Sequence, residues 1–190
     1  MSLLLEVPNA LRTFPAERVL LADEDLLVVD KPWGLATHPP EEGRKDDVVS
    51  WLTEHFAARQ ESTYLGIHQR LDRETSGVLL FSRNKERNRA LAEQFEGRRV
   101  DKAYLAVVEG RVFERMSLEH ELEKGEGGTM VARDPATKRR AGAPSGGRSP
   151  SKRRAGLLAR TELRLVERRG KRALVELMIE TGRTHQIRAQ

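Results

Sequence analysis

The run IHQRLDRETSG, Ile67 to Gly77, sets one carboxylate, Asp72, among Arg70, Arg73 and Glu74, with His68, Thr75 and Ser76 close by. It then passes directly into the apolar stretch VLLF, Val78 to Phe81. Arginines on both sides of Asp72 would keep it ionised and could hold the phosphates of an anionic partner. An ionised carboxylate at such a place can serve as a nucleophile. The same charges would also make a solvated turn ahead of a strand, and spacing alone leaves both readings open.

The elements that must position this run are readable from the pattern. Val19 to Leu21 and Leu26 to Asp30 read as short strands around the turn Ala22-Asp23-Glu24-Asp25, and Lys31-Pro32-Trp33-Gly34 forces a loop. Asp47 to Arg59 reads as a helix with Val48, Trp51, Leu52, His55 and Phe56 on one face and Asp46 or Asp47 as its cap. Gly77 to Ser82 reads as a buried strand. Asn84 to Phe95 reads as a second helix, with Leu91 and Phe95 on one side and Gly97 closing it. Ala103 to Glu109 reads as a strand, and Met116 to Leu122 and Thr129 to Ala132 as weaker ones. Leu157 to Glu167 and Arg172 to Glu180 read as a strand pair around the turn Glu167 to Lys171. Thr184 is placed to cap a last helix beginning near His185. Strands outnumber helices and hairpins outnumber crossovers, which predicts an α+β fold with a largely antiparallel sheet flanked by helices and loops.

Composition narrows the function classes. A length of 190 residues suits a single domain spanning 1–190, and the absence of cysteine excludes a disulfide scaffold and thiolate zinc sites and suits a reducing cytoplasm. No apolar stretch approaches the roughly 20 residues that span a bilayer, and the start MSLLLEVPNALRTF lacks the pattern of a signal peptide. The pI near 9.8 invites a nucleic-acid reading, but the charge is unevenly placed. Arg133 to Arg172 holds 14 Lys and Arg against 3 Asp and Glu, a balance of +11 in a chain that totals +5, so the rest is net negative. Within it, residues 135–156 have the composition of a disordered basic loop. Its clusters Lys138-Arg139-Arg140 and Lys152-Arg153-Arg154 could form a phosphate-binding arm or a solvated insertion. No P-loop, HExxH or paired-aspartate motif is present, which argues against a hydrolase or phosphotransferase that uses Asp72 with a metal.

Four segments in order carry a resemblance. Arg70-Leu71-Asp72 followed by Thr75-Ser76-Gly77 resembles the active-site motif of the RluA-type RNA pseudouridine synthases. DEDLLVVDKPWGLATHP, Asp23 to Pro39, resembles the entry segment of that family, with Lys31, Pro32, Gly34, His38 and Pro39 in the expected places. KAYLAVVEG, Lys102 to Gly110, resembles its second motif, and TGRTHQIR, Thr181 to Arg188, its third. The resemblance implies a pseudouridine synthase-like catalytic domain that isomerises uridine in ribosomal or transfer RNA, with no cofactor, no metal and no membrane.

Such a reaction breaks the bond from C1′ to N1, turns the base and joins C5 to C1′, after the base has left its stack at a cost of a few kcal/mol. The resemblance makes Asp72 the catalytic carboxylate, either attacking C1′ or assisting loss and recapture of the base. It makes Arg188 the ion-pair partner of Asp72, Tyr104 the ring stacked on the flipped uracil, and Ile187 the residue packed behind that ring. Arg70 would fill the gap the base leaves. His68 is expected at the base or in a structural role, because Gln69 separates it from Arg70 where many relatives have histidine next to the arginine. Arg73, Lys31, Arg183 and His185 are expected as phosphate or sugar contacts. Gly77 and Gly182 are expected to serve turns or close backbone approach.

Two departures from the family pattern enter as expectations. The chain ends at Gln190, just after the third motif, where relatives continue, so either a C-terminal truncation or a chain that is simply short is expected. The segment before Val19 is too short for the small S4-type RNA-binding domain of many relatives. An RNA-binding module on the same fold, without catalysis, is the alternative reading. The RNA, the uridine and the oligomeric state are not legible.

Overall fold

The computed structural model describes residues 16–39, 46–125, 127, 129–135 and 156–190. The expected basic loop at 135–156 lies almost wholly outside the described residues. The chain divides into two compact units, Met1–Arg99 and Val100–Gln190.

The first unit holds a four-stranded antiparallel sheet in the order β1-β2-β4-β3, from β1 (Val19–Ala22), β2 (Leu26–Lys31), β3 (Gly66–Ile67) and β4 (Gly77–Ser82). Asp23 closes the β1–β2 turn by accepting from the N–H groups of Asp25 and Leu26 at 2.9 and 2.7 Å. This is the side-chain turn that aspartate favours. Period-two alternation along β2 sends Leu27, Val29 and Lys31 into the core together, facing Leu79 and Phe81 of β4. The strand Gly77 to Ser82 is buried on that face, while Val78 on the other is 57% exposed. An antiparallel sheet needs cover on one face only.

Helix α1 (Val48–Ala58) lays Val48, Leu52 and Phe56 on this core, with Trp51 and His55 of the expected face half-buried beside them. Each full burial of such a side chain contributes about 1.5–3 kcal/mol. Asp47, not Asp46, is the cap, and its carboxylate accepts from Ser50 N–H at 3.0 Å. Helix α2 (Lys85–Glu96) is capped by Asn84 and closed by Gly97, as its sequence predicts. It buries no side chain fully; Leu91 and Phe95 are half-buried.

The second unit holds a five-stranded antiparallel sheet in the order β5-β9-β8-β6-β7. Its strands are β5 (Ala103–Glu109), β6 (Arg115–Lys124), β7 (Met130–Arg133), β8 (Leu157–Arg169) and β9 (Arg172–Ile179). Val112, Leu163, Ala173, Val175 and Leu177 form its core. The β8–β9 turn is tighter than the sequence suggests. The strands run on to Arg169 and Arg172 and leave only Gly170-Lys171 between them, with Gly170 at φ 59. A two-residue hairpin needs a positive φ at its first loop position, and glycine supplies it. Charged residues at an exposed hairpin end did not stop the strands, because both faces there meet water.

Three arginines of β8 and β9 have acidic partners across the sheet. Arg160 pairs with Glu119, Arg164 with Glu176 and Arg172 with Glu109, each directly across the sheet. Each exposed pair contributes little stability, but together they neutralise cations that net charge alone would assign to an RNA partner.

The last helix, α3, is Gln186–Ala189. Thr184 is not its cap. The cap position is His185, in the left-handed conformation at φ 53, and it makes no side-chain cap bond. The side chain of Gln186 satisfies the entry instead, its carbonyl accepting from Arg183 N–H at 3.1 Å. Among the described residues no helix is long and apolar enough to cross a membrane.

Candidate active site

Asp72 stands half-buried on the loop between β3 and β4, in a turn closed by Thr75 N–H donating to the Asp72 carbonyl at 3.0 Å. Both neighbours of Asp72 are tied to the loop that follows β2. On one side, the buried Thr37 hydroxyl donates to the Leu71 carbonyl at 2.8 Å and accepts from Leu71 N–H at 3.0 Å. On the other, the Arg73 carbonyl accepts from Gly34 N–H at 2.8 Å and from the Lys31 ammonium at 3.3 Å, and Arg73 Nε donates back to the Gly34 carbonyl at 3.1 Å. The clamp reaches the core through α1, whose first N–H groups, of Val48 and Val49, donate to the carbonyls of Ala36 and Thr37. These are donors that a helix start leaves without internal partners. The carboxylate of Asp72 is therefore carried on a peptide segment held at both ends, which is the preorganisation that a catalytic group requires.

Lys31 was expected as a phosphate or sugar contact. The structure corrects this. Its side chain is fully buried, and Nζ donates to the carbonyls of Pro32, Leu35 and Arg73 at 3.0, 2.6 and 3.3 Å. An ammonium has three protons, and all three are taken. Alternation along β2 makes position 31 an inward one, so the chain must bury a cation there and satisfy it with carbonyls. Burial lowers its pKa from 10.5 to about 8, against the opposing pull of the Glu74 and Asp72 carboxylates. Lys31 thus ties the Arg73 carbonyl to the turn that follows β2.

The other expected residues of this unit separate by environment. Arg70 is exposed. Its positive charge, after burial, helps hold the His38 imidazole below the usual histidine range, against the opposing pull of the Asp47 carboxylate. Arg73 is half-exposed and pairs with Asp46 at 2.9 Å besides holding Gly34, so its guanidinium does structural work on the loop. His68 stacks nearly parallel on Phe95 of α2, with ring centroids 5.7 Å apart. Burial lowers its pKa, and its Nε2 is buried without a hydrogen-bond partner among the described residues.

In the second unit, Tyr104 of β5 and Lys102, just ahead of the strand, are both half-buried while Ala103 between them is exposed. Tyr104 and Ile187 both pack against the cluster of Val112, Leu163, Ala173, Val175 and Leu177. Arg188 is exposed on α3. Arg183 donates from Nε to the Leu158 carbonyl at 3.2 Å. The TGRTHQIR segment is held by Gln186, buried to 3% exposure and saturated with hydrogen bonds. Its carbonyl accepts from Thr181 Oγ1 at 2.8 Å and from Arg183 N–H, while its amide donates to Arg160 O and Thr161 Oγ1, each at 3.0 Å.

Sequence reasoning assigned no role to Thr37 or Gln186. The available signal was weak: a hydroxyl two residues from Leu35 in a segment bounded by Gly34 and Pro39, and an amide inside a motif otherwise read for its charges.

Residues 25–190 match the family model described as RNA pseudouridylate synthase. The chain belongs to this family. The synthase fold extends to solved relatives: human RNA pseudouridylate synthase domain containing 1 superposes with a TM-score of 0.64 at 25% identity, covering 90% of this chain and 62% of that one. Ribosomal large subunit pseudouridine synthase D of Borreliella burgdorferi is 34% identical over 175 residues, 90% of this chain and 49% of that protein. An uncharacterized RNA pseudouridine synthase of Bacillus subtilis is 30% identical over 172 residues, 90% of this chain and 51% of its own length. The chain thus spans about half the length of these curated relatives. All four motif segments of this synthase-family chain, from Asp23 to Arg188, fall within or against the matched region.

Proposed function

We propose that this chain carries an RNA uridine isomerase activity, with Asp72 as its catalytic carboxylate. One observation carries the reading: Leu71 and Arg73, the two neighbours of Asp72, are each fixed by hydrogen bonds to the 31–37 loop, so the motif aspartate stands on a preorganised support. In the proposed reaction the N1–C1′ bond breaks, the freed base turns, and C5 bonds to C1′. The proton on C5 is lost and N1 gains one, so the product is an isomer and no redox cofactor enters.

On the strength of their motifs, Tyr104 and Arg188 are assigned to the same reaction. Tyr104 is the ring that stacks on the turned uracil, backed by Ile187, and Arg188 the cation that favours an ionised aspartate. On this proposal residues 1–190 act as one catalytic domain. Arg70 fills the space of the flipped base, and Arg183 and His185 face the RNA backbone. The reading places the reaction in the cytoplasm. Ribosomal RNA is the first substrate to test, since several relatives carry the name of large-subunit ribosomal synthases.

The test is tritium release from RNA labelled with 5-³H-uridine, on large-subunit ribosomal and transfer RNA. Release by the wild type that is abolished in Asp72→Asn, with RNA binding retained, is the expected result. Full turnover by Asp72→Asn would sink the assignment. Tight binding with every uridine unchanged would favour the RNA-binding module.

A further inference from the structure

Trp33 is half in water, at 50% exposure, on the turn Pro32-Trp33-Gly34. The turn is made by Pro32 and by Gly34, whose φ of 83 suits glycine, so the turn itself does not require an indole between them.

The turn is nevertheless held rigidly. The Pro32 carbonyl accepts from the buried Lys31 ammonium, and Gly34 is tied through both its N–H and its carbonyl to Arg73, the residue next to Asp72. Among the described residues of this unit, the other large exposed apolar side chains, Leu20, Leu21, Ile67 and Val78, lie on strands, where one uncovered face is ordinary. Trp33 alone among these is a large π-surface on a loop clamped to the neighbour of the candidate catalytic carboxylate. The exposed Arg70 and the half-exposed Arg73 supply cations on the adjoining loop.

We infer that Trp33 is a stacking platform for an unpaired RNA base close to the target uridine. This rests on the proposed RNA activity and adds a contact that the motif residues do not supply. A flipped target leaves flanking bases with exposed faces, and an aromatic platform takes any base because every base has a π-face. Stacking of this kind is worth about 1–3 kcal/mol per base, which converts to roughly a 5- to 150-fold change in Kd. Holding the turn beforehand avoids the ordering cost that a mobile loop would incur on binding.

The experiment compares wild type with Trp33→Phe, Trp33→Leu and Trp33→Ala. It reads the Kd for a labelled single-stranded oligouridylate and the KM and kcat of tritium release on ribosomal RNA. Trp33→Ala and Trp33→Leu should raise Kd and KM by about 5-fold or more with little change in kcat, while Trp33→Phe keeps most of the affinity. The split between leucine and phenylalanine separates stacking from general apolar contact. Wild-type Kd and KM in Trp33→Ala would overturn the inference.

A second readout stands apart from any folding defect. In Trp51→Phe, Trp33 is the sole tryptophan, and its emission should be quenched as oligouridylate is added; unchanged emission at saturating oligouridylate would also overturn it. Quenching together with no isomerisation on any RNA would leave the stacking platform standing and count against the isomerase reading.

Discussion

Thr37 and Leu71 are joined by two hydrogen bonds through a single hydroxyl, which donates to the Leu71 carbonyl and accepts from the Leu71 N–H. Both residues are buried, at 2% and 8% exposure, so water cannot replace either bond. Thr37→Val keeps the shape and strands both backbone groups of the residue before Asp72. The expected cost is about 1–3 kcal/mol in urea unfolding, with kcat falling more than KM changes. Thr37→Ser should restore both. An equal kcat in Thr37→Val would show that the clamp is not needed to aim Asp72.

Lys31 ties a pH dependence to the same loop. Folding lowers its pKa from 10.5 to about 8 by burial. Between those values the unfolded chain holds a proton that the folded chain has released, so stability rises with pH across that window. Below about 8 both states are charged and this group adds no slope. Denaturant midpoints of wild type and Lys31→Met, measured from below pH 8 to above pH 10.5, should therefore diverge in favour of wild type as pH rises. Parallel curves would mean that Lys31 keeps an ordinary pKa.

Gly77 begins β4 directly after the motif and pairs with Lys31 across the sheet. Its φ of +127 is closed to L side chains, although a Cβ would meet no atom within 4 Å. Gly77→Ala should therefore destabilise through backbone strain, by about 1–3 kcal/mol, and not through a clash. Urea unfolding checks this. An unchanged midpoint would show that the strand start relaxes freely.

Gln186 spends both its carbonyl and its amide on Thr181, Arg183, Arg160 and Thr161. Gln186→Leu leaves four buried or half-buried groups without that partner, and a loss of about 3 kcal/mol or more is expected. Hydrogen exchange should quicken at the Arg183 N–H, which donates to the Gln186 side chain. Unaltered protection there would mean that the segment is held by other contacts.

Much of the fold was legible because it is local. The strands Leu26 to Asp30 and Ala103 to Glu109, the turn from Ala22 to Asp25, a cap narrowed to Asp46 or Asp47 and the Asn84 to Gly97 frame of α2 each depend on neighbours a few residues away. The four motif segments likewise led to the family. The sequence by itself determined these, since period and cap chemistry act before the chain has packed.

What only the tertiary structure decided is where partners lie far along the chain. Lys31 reads as a free cation until β2 turns it inward, and its Arg73 acceptor is 42 residues away. Thr37 is an unremarked hydroxyl until the β3–β4 loop brings Leu71 to it, 34 residues on. Thr184 has the right chemistry for a cap, yet the Gln186 side chain, its amide fixed by Arg160 and Thr161, offers its carbonyl to the Arg183 N–H instead. A buried polar group must be satisfied by whatever packing brings within about 3 Å, and no local pattern encodes which residue that will be.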